Sequence, residues 1–329
     1  MKTIALVGPY NQVIRKALGE ATPEGFNLID IPTPDDYPRL EEADYVIIRT
    51  INLSGSDLSK AKKLKLIHKW GVGYDNIDLE SVSALNIPVA VCYGMNSTPV
   101  AEMAVLHILA LYRNLLAIDS RLKKNVWAKD EYSGKSYTIS GKIVGLVGAG
   151  NIGRKVAALT QAFGASVQYY DVHRIPLEKE RQANLTYVEL ERLLATSDII
   201  SLHVPLTEHT ENLIDEKALS LMKPTAILVN TSRGGIVDEL ALARALQNKT
   251  IMGAGLDAFS QEPPEKNCPF YAMENVVTTP HAGGNTADNA TNMLRCCYDN
   301  IVAFDHGNRL SKNMIVNNHL LKNKLELED

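Results

Sequence analysis

The chain has 329 residues, 45% of them hydrophobic and 22% charged, with a formal net charge of -4 at pH 7. That length predicts two domains, and the apolar content suffices to bury a core in each. The mild acidity gives no electrostatic footprint for nucleic acid or an anionic membrane, so neither is an expected partner.

The start, Met1-Lys2-Thr3-Ile4, runs directly into an apolar stretch without the pattern of a signal peptide. No apolar run approaches the roughly 20 residues that a membrane span needs. Cys92, Cys268, Cys296 and Cys297 show no C-x-x-C spacing. Reduced thiols, a cytoplasmic location and no metal site are therefore expected.

In chain order, strand patterns fall at residues 3–7, 27–31, 44–49, 65–68 and 88–92, with helix patterns at 12–18, 57–63 and 79–85. A long helical pattern follows at 98–121, with Thr98 placed to cap it, Pro99 in the first helical position and Glu102 in the first turn. It is read as the crossing into a second domain. A second series then has strands at 142–147, 166–170, 198–203, 226–230, 251–256 and 276–278, and helices at 152–163 and 238–247. Thr186 followed by Glu189 reads as a capping box opening another helix. A last helix at 287–304 leads to a charged tail at 322–329. Such alternation predicts an α/β protein with doubly wound parallel sheets.

The sharpest local motif is Gly148-Ala149-Gly150-Asn151-Ile152-Gly153, directly after a strand and opening a helix. Glycines there permit a tight turn and close backbone approach, so that helix-terminal N–H groups face a pyrophosphate. Asp171 ends the next strand, near the roughly 20-residue offset of a ribose-binding acid. An acid in that place favours NAD over NADP, a preference that Arg174 could soften.

A nicotinamide enzyme must itself supply a proton and a seat for the substrate's carboxylate. Three strand-end loops hold candidates: Arg233 in Asn230-Thr231-Ser232-Arg233-Gly234-Gly235, Glu262 in residues 257–264, and His281 in Thr279-Pro280-His281. A guanidinium fork matches a carboxylate, and a carboxylate favours a neighbouring imidazolium and fixes its orientation. Each also has a plainer reading: a solvated Glu, a hydrogen-bonded loop His, an Arg on a nearby carbonyl.

Five blocks in order, Gly71–Asp78, Gly148–Gly153, Asn230–Val237, Asp257–Pro264 and Pro280–Gly284, resemble the D-isomer-specific 2-hydroxyacid dehydrogenases over nearly the whole chain up to Asn317. The resemblance implies a Rossmann-like NAD domain, 99–286, inserted into a split flavodoxin-like substrate domain, 1–98 and 287–329, in a homodimer. It implies catalytic roles for Arg233, Glu262 and His281, and cofactor contacts from Gly148, Gly150, Asn151, Ile152, Gly153, Asp171, His203, Pro205, Thr231, Ser232 and Asp257. The turn Gly71-Val72-Gly73 matches the family's loop for the substrate carboxylate, physically a nest of amide donors. The implied reaction is hydride transfer between NAD(H) and a small 2-oxo or 2-hydroxy acid, with domain closure excluding water.

Three other readings stay open. Cofactor-sensing corepressors resemble the same family, but nothing here resembles their added partner-binding segments. Formate dehydrogenases carry Gln where Glu262 stands. Phosphoglycerate-specific members carry an Arg where this chain has Trp70, although Arg49 matches their other basic position. Strand alternation points Lys69 away from the side that Trp70 faces. A substrate without phosphate is therefore expected: hydroxypyruvate, glyoxylate or a short alkyl 2-oxo acid.

Overall fold

The computed structural model describes residues 1–328. They divide into two compact units: Met1–Asn96 together with the chain from Thr286 onward, and Ser97–Asn285.

In the first unit, β1 (Lys2–Val7), β2 (Phe26–Ile31), β3 (Tyr45–Ile48), β4 (Leu66–Lys69) and β5 (Val89–Val91) form one parallel sheet in the order β2-β1-β3-β4-β5. That is the flavodoxin order. Its middle strands β3 and β4 are buried along their length, including His68 and Lys69 of β4, as suits a sheet covered on both faces. Helix α1 (Gln12–Glu20) is capped by Asn11, whose side chain accepts from the Ile14 amide at 2.8 Å, and α2 (Leu79–Ala84) is capped by Asp78. The helix expected at 57–63 does not form. The Ser54 amide and hydroxyl both donate to Asp57 at 2.7 Å, and the turns that follow bury Leu58 and Ala61 without a helix. Pro34–Glu42, with no apolar period to announce it, winds into a 3-10 helix behind a reciprocal Thr33–Asp36 cap.

The second unit opens with α3 (Ser97–Tyr112) and α4 (Leu115–Lys123). The single helix expected at 98–121 is broken here by a bend of 62°. Asn114 sits at the break with φ 49°, a left-handed conformation that Asn tolerates better than most residues, and its amide donates to the Lys135 carbonyl at 3.1 Å. Helix α3 begins at Ser97, so Thr98 lies inside it and does not cap it. Among the described residues, no single helix is long and apolar enough to cross a membrane.

There follow β6 (Ile143–Val147), α5 (Asn151–Ala162), β7 (Ser166–Tyr170), α6 (Leu177–Gln182), β8 (Leu185–Tyr187), α7 (Leu190–Thr196) and β9 (Ile199–Leu202). Then come α8 (Glu216–Leu221), β10 (Ile227–Asn230), α9 (Glu239–Gln247), β11 (Gly253–Leu256) and β12 (Val276–Thr278). Their parallel sheet runs β12-β11-β10-β9-β6-β7-β8. Counted from β6, that is the order of a dinucleotide-binding sheet with one strand added beyond the sixth. Thr186 proves to lie in β8, paired in register with Gln168, and Glu189 occupies the N-cap position of α7 without a side-chain cap bond. The capping box is thus replaced by a three-residue edge strand.

Helix α10 (Ala287–Asp305) returns the chain to the first unit. Beyond it, Asn317 is wholly buried: its carbonyl oxygen accepts from the Val89 amide at 2.8 Å, and its amide donates to Ser83 Oγ at 2.8 Å and the Ile87 carbonyl at 2.9 Å.

Candidate active site

In the second unit, the expected site residues collect at the carboxyl ends of the parallel strands, where an open α/β sheet places ligands. The glycine loop joins β6 to α5. At Gly148, φ is +96°, and a Cβ would lie 2.5 Å from the His203 carbonyl oxygen. At Gly153, a Cβ would lie 2.2 Å from the Gly148 carbonyl oxygen. These two contacts press the loop against the neighbouring strand end and the helix against the loop. Gly150, by contrast, has nothing within 4 Å of its Cβ position, which leaves the helix terminus approachable. Asn151 and Ile152 form the first turn of α5.

Asp171 lies one residue past β7, and its Oδ2 accepts from the Ala149 amide at 2.8 Å. The acid therefore also ties the glycine loop to β7, a contact the sequence does not announce. Arg174 is committed elsewhere. Its Nε and Nη2 donate to Glu180 at 2.8 and 3.1 Å, and its guanidinium lies 4.9 Å from the Tyr187 ring centroid. The hydrogen bond from Arg174 brings the Glu180 carboxyl down to about 2.

Past β9, His203 Nε2 is 2.9 Å from Ser201 Oγ, and burial lowers the imidazole to about 3, so it is neutral. Pro205 follows two residues on and is exposed. Past β10, Ser232 Oγ donates to the Leu202 carbonyl at 2.6 Å, and Arg233 Nη1 donates to the Ser232 carbonyl at 2.8 Å. Among the described residues, His203 Nδ1 and Thr231 Oγ1 are buried with no partner. Buried polar atoms are rarely left so. Those two atoms, together with the cradle at Gly148 and Gly153, fit a bound dinucleotide.

The structure joins Glu262 and His281 directly. His281 Nδ1 lies 2.8 Å from Glu262 Oε2 and 3.0 Å from Oε1, and Oε1 also accepts from the Phe259 amide at 3.0 Å. Burial opposes ionisation of Glu262, but the His281 hydrogen bond, the Phe259 amide and the charge of Arg233 outweigh it and lower the carboxyl. At neutral pH Glu262 is an anion with an imidazole on it, and Arg233 is close enough to act on the same charge.

His281 itself has φ 50°, and its amide donates to the Asp257 carbonyl at 2.8 Å. The Asp257 side chain is 1% exposed. Its Oδ1 accepts from Thr279 Oγ1 and from the Ala282 amide at 2.8 Å, and its Oδ2 from the Gly283 amide at 2.8 Å. Asp257, expected as a cofactor contact, thus acts first on the loop that carries His281. His107, from α3, continues the brace, its Nε2 3.0 Å from Thr279 Oγ1. Sequence reasoning missed His107 because a lone His in an apolar helix carries no signal.

In the first unit, Gly71-Val72-Gly73 follows β4, and the Gly71 carbonyl accepts from the Cys92 amide at 2.8 Å. Among the described residues, no protein acceptor takes the amides of Val72 and Gly73. Lys69 is 7% exposed, its ammonium bonded to the Arg49 carbonyl and to Asn76 Oδ1. Trp70 packs edge-on to Tyr10 with ring centroids 5.8 Å apart, and Arg49 Nη1 donates to the Pro9 carbonyl at 2.9 Å.

Residues 105–283 match the family model described as D-isomer specific 2-hydroxyacid dehydrogenase, NAD binding domain. The chain is 41% identical over 255 residues to a glyoxylate reductase of Thermococcus litoralis, covering 76% of each protein. It is 39% identical over 248 residues to a D-3-phosphoglycerate dehydrogenase of Mycobacterium leprae, covering 75% of this chain and 46% of that one. Among solved structures, a D-lactate dehydrogenase of Aquifex aeolicus complexed with NAD and lactic acid superposes with a TM-score of 0.83 at 31% identity, covering 93% of this chain and 96% of that one. A family match across more than half the chain, on a sheet of the dinucleotide-binding order, leaves one conclusion: this protein belongs to the D-isomer specific 2-hydroxyacid dehydrogenases.

Proposed function

We propose that this NAD-dependent dehydrogenase reduces a small, unphosphorylated 2-oxo acid to its 2-hydroxy acid and runs the reverse oxidation. Hydroxypyruvate, glyoxylate and short alkyl 2-oxo acids are the favoured substrates. The observation that carries the chemistry is the His281–Glu262 pair at 2.8 Å, at strand ends of the dinucleotide-binding unit.

NAD(H), when bound, supplies or accepts the hydride at the substrate's C2. Gly148, Gly150, Asn151, Ile152, Gly153, Asp171, His203, Pro205, Thr231, Ser232 and Asp257 are the residues assigned to hold it. His281 as imidazolium gives its Nε2 proton to the carbonyl oxygen during reduction and takes it back during oxidation. Glu262 on Nδ1 fixes the ring and stabilises its cationic form. Arg233 pairs with the substrate carboxylate and polarises the carbonyl as negative charge develops. Gly71, Val72 and Gly73, a nest of amide donors, are assigned to substrate binding.

The preference against phosphate is supported by Lys69, whose ammonium is buried on Arg49 and Asn76, and by Trp70, whose indole offers a single donor. The proposal includes a cytoplasmic homodimer. All four cysteines are free thiols, the state of a reducing compartment. Helix α4 buries none of its residues and exposes Leu115, Leu116 and Leu122, with Trp127 nearby in sequence 79% exposed.

The deciding experiment compares kcat/KM for hydroxypyruvate, glyoxylate and phosphohydroxypyruvate at fixed NADH. Preference for an unphosphorylated acid is expected. Preference for phosphohydroxypyruvate would overturn the assignment and make Arg49 the phosphate ligand.

A further inference from the structure

In the first unit, three residues outside the site described above converge in the core. His68 lies in β4, Cys92 directly follows β5, and Cys297 lies in α10; all three are 0% exposed. The Cys92 and Cys297 sulfurs are 3.7 Å apart, His68 Nδ1 is 3.3 Å from the Cys297 sulfur, and the three ligand atoms lie within 4.8 Å of one another. No spacing motif announces the set, because Cys92 and Cys297 are 205 positions apart.

We propose that His68, Cys92 and Cys297 form a buried zinc(II) site with three protein ligands. The argument is first metric. Tetrahedral zinc, with bonds of about 2.3 Å to sulfur and about 2.0 Å to nitrogen, separates two sulfurs by about 3.8 Å and a sulfur from a nitrogen by about 3.5 Å. The 3.7 and 3.3 Å separations lie within a few tenths of those values, and the third, Cys92 sulfur to His68 Nδ1, is within 4.8 Å. The second argument is charge. Two thiolates and a neutral imidazole leave a divalent cation with no net charge, as a fully buried position demands, whereas a monovalent ion would leave an anion there.

Proton accounting is consistent with the surroundings. Without metal, the Cys92 thiol has the Lys69 carbonyl at 3.6 Å, and His68 Nδ1 has the same carbonyl at 3.1 Å. Binding releases the two thiol protons and moves the imidazole proton from Nδ1 to Nε2. Asn300 Nδ2 lies 2.9 Å from Nε2. Turning that amide over presents Oδ1 to the new Nε2–H, the kind of outer hydrogen bond that orients a metal-bound imidazole. The ion would fasten the ends of β4 and β5 to α10, directly beneath the turn whose Gly71 carbonyl accepts from the Cys92 amide.

The test titrates reduced, chelator-stripped full-length protein with cobalt(II), a spectroscopic stand-in for zinc. Expected are thiolate-to-cobalt charge-transfer bands that saturate at about one equivalent per chain and are erased by added zinc. The Cys268→Ser protein, altered at the thiol of the second unit, should behave identically, and Cys92→Ser and Cys297→Ser should lose the bands. Absence of thiolate bands in the unmodified protein, bands surviving Cys297→Ser, or uptake of copper(I) without cobalt would each overturn the proposal. Should the serine variants fail to fold, X-ray absorption on the zinc-loaded unmodified protein decides. A sulfur shell with one imidazole supports the site, and a shell of oxygen and nitrogen alone overturns it.

Discussion

Replacing Asp257 by Asn exchanges one carboxylate oxygen for an NH2 group and tests how His281 is held. The carboxylate accepts from Thr279 Oγ1 and the Ala282 amide on one oxygen and from the Gly283 amide on the other, at 2.8 Å for both amides. Asparagine can present its one oxygen to the Thr279 and Ala282 side, but its NH2 then meets the Gly283 N–H, donor against donor. The charge-assisted bond lost is worth about 1.5–3 kcal/mol, and a buried amide left unpaired costs about 1–3 kcal/mol; the two overlap, so a net loss of about 3 kcal/mol is expected. Guanidinium unfolding monitored by circular dichroism measures it. Loosening the loop also misplaces an imidazole held at φ 50°. A displacement near 1 Å can cost about 10²-fold, so kcat should fall by about 10–10²-fold. Stability within about 0.5 kcal/mol of the unmodified protein, with undiminished kcat, would refute the brace.

Glu262→Gln removes the carboxylate that orients the His281 ring at 2.8 Å, so kcat for reduction should fall by about 10–10²-fold, and undiminished turnover would argue against the pair. NADH should be preferred over NADPH, since Arg174 is held by Glu180. Asp171→Ser should narrow that gap, and equal use of both cofactors by the unmodified enzyme would contradict the role of Asp171. Glu180 is lowered in the fold from 4.5 to about 2, so its contribution is present above pH 4.5 and lost as pH drops toward 2. The stability of Glu180→Gln should fall less steeply over that interval, and equal steepness would count against the Arg174–Glu180 pair as its cause.

What could be read from the residues tracks how local the physics is. β7 at Ser166–Tyr170 is readable end to end from its alternation of buried and more exposed positions after Gly164, and β12 at Val276–Thr278 from an apolar pair between Asn275 and Pro280. The glycine loop was readable too, since close backbone approach excludes every other residue type. Failures came where a distant partner decides. The helical pattern across Asn114 continues in sequence, yet Lys135 and Ser136 accept its side-chain amide and the chain turns. Thr186 and Glu189 have capping spacing, but the edge of the sheet takes Thr186 into β8 instead. Lys69 looks like a surface charge until Asn76 and the Arg49 carbonyl are brought to it. The Glu262–His281 pair lay between: residue types and strand-end positions suggested it, and only the fold joins residues 19 apart on two different loops.

The first unit is assembled from both ends of the chain, and this orders events during synthesis. Its last parallel strand, β5, holds the chain near Ile315 through an antiparallel bridge at Ala90, and Asn317 fills three hydrogen bonds to Ser83, Ile87 and Val89. None of these partners exists until some 220 further residues have left the ribosome, whereas the second unit, Ser97–Asn285, is contiguous and complete by then. Nascent domains generally fold as units as they emerge. The unit that is made first therefore closes last. Until α10 arrives, the apolar edge around β4 and β5 stays open, and it is the stretch of this chain that chaperones have most reason to cover.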